Sequence, residues 1–175
     1  MKLKELNRLI EHPNLVEKRI KRYEKGKVIR KQLIDEDEIK GHIEKSEHNL
    51  KFIKDNIKIG YFDWGITGCY YAIYHSALAL ILAKGYISKN HDATLYILIK
   101  EYYKKGVNEE DIKLINKFFL DYQNLLFYIK SKNKREEATY SSGYKFDKKV
   151  VEELRLKTIF FVNKAKEILK SKKII

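Results

Sequence analysis

The sequence predicts an all-α fold, and three observations support that prediction. Apolar residues recur at intervals of three to four, the period of a helix face, rather than alternating as they do in a strand. The 175 residues include one proline and eight glycines, so the sequence has few of the residues that mark turns. The segment from Gly65 to Ala83 is apolar almost all the way round a helix. A chain of this length can form one domain with a core of its own.

The N-terminal stretch is expected to form a helix broken near His12 and Pro13, followed by a basic connector around Lys25 and Gly26. From sequence, this stretch either folds onto the rest of the protein or is mobile. We divide the chain into a basic N-terminal extension, residues 1–40, and a helical bundle, residues 41–175.

Five further helices are expected in the order of the chain. Asp35 is a plausible N-cap of the first, Ser88 or Asn90 of the third, and Gly85 suits the left-handed residue that ends the second. The approximate ranges are 36–57, 63–84, 88–105, 109–131 and 147–171.

The second of these helices is central to the prediction because it is long enough either to cross a membrane or to form the middle of a bundle. Its polar or titratable side chains include Tyr70, Tyr71, Tyr74, His75 and Ser76. Each would need a hydrogen-bond partner in lipid, so we expect a buried helix and no membrane span.

The last helix has two apolar stripes. One contains Val151, Leu154, Thr158, Phe161, Val162, Ala165 and Ile168, and the other Leu156, Ile159 and Phe160. Two apolar faces indicate contact on two sides. The neighbours are helices of the same chain or those of a second subunit, and a homodimer is expected.

The basic character belongs to the two ends of the chain. Residues 1–34 contain eleven Lys and Arg against four Asp and Glu, and residues 141–175 contain ten against four. Such regions attract polyanions in a salt-dependent way, although the same composition is found on solvated faces of Lys-rich proteins. Cys69 is the single cysteine and no apolar leader is evident, so we expect a cytoplasmic protein without disulfides.

The sequence lacks a Gly-rich phosphate loop, a His-Glu-x-x-His motif and a Cys-x-x-Cys motif, so we expect no cofactor and no metal. The thirteen tyrosines can stack on bases, but in a helical domain they are more often core residues. His75 and His91 are the titratable groups expected inside, either as hydrogen-bonded structural residues or as ligand-binding groups.

The segment 130–144 combines charge, hydroxyl groups and a loop. Arg135 can bind a phosphate with two parallel hydrogen bonds, and Tyr140 and Ser141 can donate to the same group. The alternative is that Arg135 pairs with a neighbouring glutamate beside an ordinary loop.

Three sequence segments resemble the HEPN domain (higher eukaryotes and prokaryotes nucleotide-binding), in its small archaeal and bacterial branch. They are GHIEKSEHNLKFI at 41–53, DWGITGCYYAIYHSALALILAKGYISKNHDATLYIL at 63–98, and REEATY at 135–140. The resemblance covers about residues 41–172 and leaves the basic N-terminal segment outside.

The resemblance implies an up-and-down bundle of four to five helices, usually dimeric, often paired with a minimal nucleotidyltransferase in a toxin–antitoxin system. In many such pairs the HEPN protein is a metal-independent ribonuclease. Its Arg-x4-6-His motif is paired across the dimer, so that two arginines and two histidines surround the scissile phosphate. There the histidine moves protons and the arginine stabilises the charged transition state.

This chain departs from the active pattern. Arg135 matches the family arginine, but Tyr140, Ser141 and Ser142 stand where the histidine is needed. A tyrosine with a pKa near 10 is a poor general base at neutral pH. Only Arg135 therefore carries over from the motif.

Three hypotheses remain. The first is a protein that binds a nucleotide or RNA, with Arg135, Tyr140, Ser141, His75, His91 and Tyr71 as ligand-binding residues. The second is a metal-independent ribonuclease with Arg135 and Tyr140 as catalytic residues, or with His75 or His91 brought in from another helix. The third is a scaffold or neutralising partner that contacts only protein.

Overall fold

The computed structural model describes residues 1–120 and 148–175, and these residues are mostly helical. The helices are α1 (Leu3–Glu11), α2 (Pro13–Lys25), α3 (Glu36–Lys58), α4 (Phe62–Leu82), α5 (His91–Tyr102), α6 (helical residues 109–120) and α7 (Lys148–Ser171). Two short strands, β1 (Ile29–Lys31) and β2 (Tyr86–Ser88), form an antiparallel pair. The prediction of an all-α bundle is confirmed.

Local chemistry explains where several helices begin and end. The Asp35 carboxylate accepts hydrogen bonds from the backbone N–H groups of Asp37 and Glu38, which caps α3. Asn90, not Ser88, caps α5, because its side-chain oxygen accepts from the Ala93 N–H. These bonds satisfy backbone donors that have no partner within the helix.

The two-stranded sheet was not expected from the sequence. Each strand has only three residues, too few to show an alternating pattern, and Ile29 lies opposite Ser88 in the pair. Gly85, just before β2, has φ +68°, a conformation that glycine adopts without steric cost. The sheet therefore joins the end of the basic connector to the turn that follows α4.

Helix α4 packs against both α3 and α7, and α3 and α7 also contact each other. Gly65 is close to the side chains of Ile57 and Val151, and Gly68 is close to Ile53. These contacts place α3 antiparallel to α4, since residue numbers fall along α3 as they rise along α4. Among the described residues, α4 is the one helix that is apolar and long enough to cross a membrane. Of its most apolar 18-residue stretch, 67% is buried inside the protein. The prediction of a buried helix is confirmed.

The N-terminal extension folds onto the bundle. Helix α2 packs against α5, and the Tyr23 ring meets the edge of the Tyr96 ring at 5.6 Å. The inward side chains of α1 and α2 belong to the same buried core as α4, namely Leu6, Leu9, Val16 and Ile20. Of the two possibilities left open by the sequence, the folded one is correct for the described residues.

The two stripes of α7 have different environments. Most of the first stripe is buried, including Phe161 at 1% exposure. In the second stripe Phe160 is 72% exposed and Leu156 is 49% exposed. One apolar face of α7 therefore packs within the chain, and the other leaves large side chains at the surface.

Gly68 and Gly41 provide a test of the packing between α3 and α4. A Cβ atom at Gly68 would lie 2.6 Å from Ile53 Cγ1 and 3.1 Å from Phe52 Cδ1, so Gly68→Ala should lower the free energy of unfolding by about 1 kcal/mol net of its helix propensity. At Gly41 such a Cβ would have no atom within 4 Å apart from its chain neighbours and the backbone of its own helix. Gly41→Ala should therefore raise the free energy of unfolding by about 0.5 to 1 kcal/mol. Urea denaturation measures both changes in the free energy of unfolding. If the two changes had the same sign, the close approach at Gly68 would be contradicted.

Candidate functional site

Two serines fix the register of α3 against α4 beside the candidate site. The Ser46 hydroxyl donates to the Ala72 carbonyl at 2.7 Å, and Ser46 and Ser76 hydroxyls are 2.7 Å apart. Because the single Ser46 proton is used at Ala72, Ser76 is the donor to Ser46. Both serines are fully buried. Because each hydroxyl has a hydrogen-bond partner, neither is buried unpaired, and the bonds hold the two helices in one alignment.

One helical turn from this serine pair, two histidines face each other. His42 lies four residues before Ser46 on α3, and His75 directly precedes Ser76 on α4. Their Nδ1 atoms are 2.9 Å apart. At this distance one Nδ1 must carry a proton and the other must accept it, so at least one of the two rings is neutral. The Tyr71 ring stacks against His75 at 6.4 Å between centroids.

A second hydrogen-bonded pair continues the row of rings toward α5 and α6. The Tyr70 hydroxyl and His91 Nε2 are 2.8 Å apart. Tyr74 stacks on Tyr70 at 5.7 Å and lies 5.4 Å from His91, while His91 meets Phe119 at 4.5 Å. We call the whole set the histidine–tyrosine cluster, and its members are His42, Tyr70, Tyr71, Tyr74, His75, His91 and Phe119.

Burial keeps the histidines of this cluster neutral. It lowers the pKa of His75 to about 4, and the pKa is lowered further because two imidazolium rings at His42 and His75 would repel each other and because Lys45 is positively charged. Burial also lowers the pKa of His42, although Glu38 opposes it, and that of His91, where Asp92 opposes it. Desolvation disfavours the charged imidazolium in each case. At neutral pH the cluster therefore offers neutral imidazoles.

This arrangement limits the chemistry that the cluster can perform. A neutral imidazole and a phenol can donate or accept hydrogen bonds, and aromatic faces can stack on a planar ligand. A histidine with a pKa of about 4 is almost entirely neutral at pH 7, so His75 is poorly suited to act as a general acid at that pH. The cluster is better suited to binding than to proton transfer.

The structure places three of the predicted site residues together. His75, His91 and Tyr71 all belong to the histidine–tyrosine cluster, although they come from two helices. Arg135, Tyr140 and Ser141 lie outside the described residues.

Sequence reasoning missed His42 and Phe119 and did not pair Tyr70 with His91. A signal for His42 was present, since His42 and Ser46 are four residues apart on α3 and face His75 and Ser76 on α4. Recognising it required the register of the helix pair, which the sequence does not give. Within residues 1–120 and 148–175, no three His, Cys, Asp or Glu side chains are grouped so as to hold a metal ion.

The protein is a helical bundle, and α4 carries most of the tyrosines and histidines of the histidine–tyrosine cluster. The family model of the HEPN domain matches residues 39–173, which is most of the chain. The chain therefore belongs to the HEPN domain family, as the sequence resemblance predicted.

Two archaeal relatives agree with this assignment. The chain is 30% identical over 138 residues to a Methanocaldococcus jannaschii protein named "Putative toxin MJ0142", covering 79% of this chain and 86% of that protein. It is 26% identical over 130 residues to a "UPF0332 protein" of Archaeoglobus fulgidus, covering 74% of this chain and 94% of that protein.

Proposed function

We propose that this HEPN protein binds a nucleotide or RNA through the histidine–tyrosine cluster together with Arg135, Tyr140 and Ser141. It acts in the cytoplasm as the HEPN component of a toxin–antitoxin pair, with a minimal nucleotidyltransferase as its partner. The name of the Methanocaldococcus relative supports the toxin-like role. The resemblance to the HEPN family supports a minimal nucleotidyltransferase as the partner.

The observation that carries the binding proposal is the cluster of neutral rings. Tyr71 is about one-third exposed and stacks on His75, so an aromatic face lies at the protein surface beside imidazole groups. Lys45 is exposed and close enough to lower the pKa of His75, and it supplies positive charge for a phosphate. Stacking plus a nearby cation is the combination by which proteins bind single-stranded nucleic acid.

The competing function is a metal-independent ribonuclease that uses Arg135 and Tyr140. The low pKa of His75 and the absence of a histidine after Arg135 argue against it, because the reaction needs a proton donor as well as a base. A protein-only scaffold is the third alternative.

The test is to incubate the purified protein with labelled total RNA in EDTA and to read binding and cleavage on one gel across a salt series. We expect salt-sensitive binding without cleavage. Cleavage that is lost in Arg135→Ala would establish the ribonuclease instead. If the protein neither binds nor cleaves RNA, the result would point to a protein partner or a small nucleotide.

Tyr71→Ala locates the binding site. Loss of one stacking platform should weaken RNA binding by about 1 to 3 kcal/mol. Tyr61→Ala is the matched control, because Tyr61 is also exposed but lies just before α4, away from the cluster. Equal affinities of the two variants would remove the cluster from the proposed site.

The homodimer is also a proposal, and the surface of α7 supports it. Leu156 and Phe160 are large apolar residues exposed on one helix. A second copy of the chain that packs on this face would bury both, and a two-fold axis would bring identical faces together. Sedimentation of wild type and Phe160→Ala tests this; a variant that remains as dimeric as wild type would exclude Phe160 from the interface.

A further inference from the structure

Helices α1 and α2 enclose a groove that lies outside the part of the chain matched by the family model, residues 39–173. The helices meet at the break between Glu11 and Pro13, and the groove between them has a volume of about 630 Å³. Two leucines, Leu9 and Leu15, contribute apolar surface to it. Six cations line it: Lys2, Lys4, Arg8, Lys18, Arg19 and Arg22.

The fold forces these cations to the same side. The apolar faces of both helices are used in the core, where Leu6, Leu9, Val16 and Ile20 are buried. The opposite, solvent-facing sides must then present the charged residues.

A single ion pair crosses the groove. Arg19 donates to the Glu5 carboxylate at 3.1 Å and so links α2 to α1. Glu5 is the one carboxylate among the described residues that line the groove. Five further cations therefore remain around a concave surface with no second lining carboxylate to balance them.

We propose that this groove binds the phosphodiester backbone of RNA and is a second contact surface beside the histidine–tyrosine cluster. The proposal rests on RNA being the ligand class of the proposed function. Clustered Lys and Arg residues bind a phosphate backbone by releasing its condensed counterions. None of the described residues that line the groove is aromatic, so the groove contacts the backbone while base stacking is left to the cluster.

Two other anionic partners fit the groove less well. A membrane surface is held by helices that insert exposed apolar side chains beside their cations. Leu3 is the one large apolar residue of α1 and α2 that is exposed. Interfaces between proteins are enriched in aromatic residues and depleted of lysine at their centres, the opposite of this groove.

The test replaces two cations on one side of the groove. Lys18→Gln/Arg22→Gln removes two charges that are four residues apart and exposed on α2. The matched control is Lys54→Gln/Lys58→Gln, which removes two charges at the same spacing from exposed positions on α3. Binding to a short fluorescein-labelled single-stranded RNA is measured in EDTA by fluorescence anisotropy across a salt series, and circular dichroism checks that each variant is folded.

We expect the groove variant to bind more weakly and the slope of log K against log salt to become shallower by about 1.4, since each lost phosphate contact contributes about 0.7 for a single strand. The control should retain the wild-type slope. Equal slopes for the groove variant and wild type would overturn the proposal, as would equal losses in the groove variant and the control, which would indicate diffuse attraction only.

The outcome separates this proposal from the proposed function. If Tyr71→Ala weakens binding and the groove variant does not, the cluster remains the binding site and the groove is excluded. If the groove variant alone weakens binding, the groove is supported and the cluster is excluded. Binding of the protein to anionic lipid vesicles, lost in the groove variant without any change in RNA binding, would assign the groove to a membrane and overturn the proposal.

Discussion

Phe161→Ala is expected to lower the free energy of unfolding by about 3 to 5 kcal/mol. Phe161 lies on the buried stripe of α7 and is 1% exposed. Truncation removes the burial of an aromatic ring and leaves a cavity that close-packed neighbours can fill only in part. For a domain of this size the corresponding fall in Tm is about 10 °C. Thermal unfolding followed by circular dichroism measures it.

The neighbouring residue provides the control. Phe160 has the same side chain in the same helix but is 72% exposed. Phe160→Ala should change the free energy of unfolding of the monomer by less than about 1 kcal/mol. If the homodimer forms through this face, the Phe160 effect on Tm will depend on protein concentration, whereas the Phe161 effect will not. Similar losses in dilute protein would show that the α7 stripes are assigned to the wrong sides.

Acidification from pH 6.5 to pH 4 is expected to destabilise the protein through His75. Its pKa is lowered from 6.5 to about 4 in the folded state, so between these values the unfolded chain binds more protons than the folded one. Stability from this group is fully present above pH 6.5 and is lost as pH falls toward 4. The difference in pKa corresponds to about 3 kcal/mol, and solvent screening of the half-buried ring reduces the expected loss to about 2 kcal/mol.

His75→Asn isolates this effect from the titration of carboxylates, which also destabilises proteins in acid. The variant should show a smaller loss of unfolding free energy between pH 6.5 and pH 4 than wild type, by about 2 kcal/mol. The control is His48→Asn, because His48 is exposed on α3. Urea denaturation at several pH values measures all three proteins. Parallel pH dependence for wild type and His75→Asn would contradict a neutral, buried His75.

Much of the fold could be predicted from local signals. The break at Pro13, the Asp35 cap and the positive φ of Gly85 all agree with the structure, because each depends on the chemistry of a few adjacent residues. The three-residue strands could not be predicted. Their pairing joins residues 29–31 to residues 86–88, and it depends on how the N-terminal extension lies against the bundle.

The candidate site could be predicted only in part. Tyr71 and His75 were evident because they interrupt the apolar helix α4, and His91 was identified as a titratable group expected inside the protein. Their partners were not, since the contact of His42 with His75 joins residues 33 positions apart and that of Tyr70 with His91 joins residues 21 apart. No local pattern specifies such a contact.

The sequence by itself determined the helical class, the burial of α4 and the position of the positive charge, since periodicity, composition and capping are properties of neighbouring residues. The tertiary structure decided which side chains meet. Packing of α3 against α4 brought His42 to His75, docking of α1 and α2 gathered six cations around one groove, and the two stripes of α7 became one buried and one exposed face. The physical reason is that helix register and docking are set by side-chain packing and buried hydrogen bonds between residues far apart in the chain.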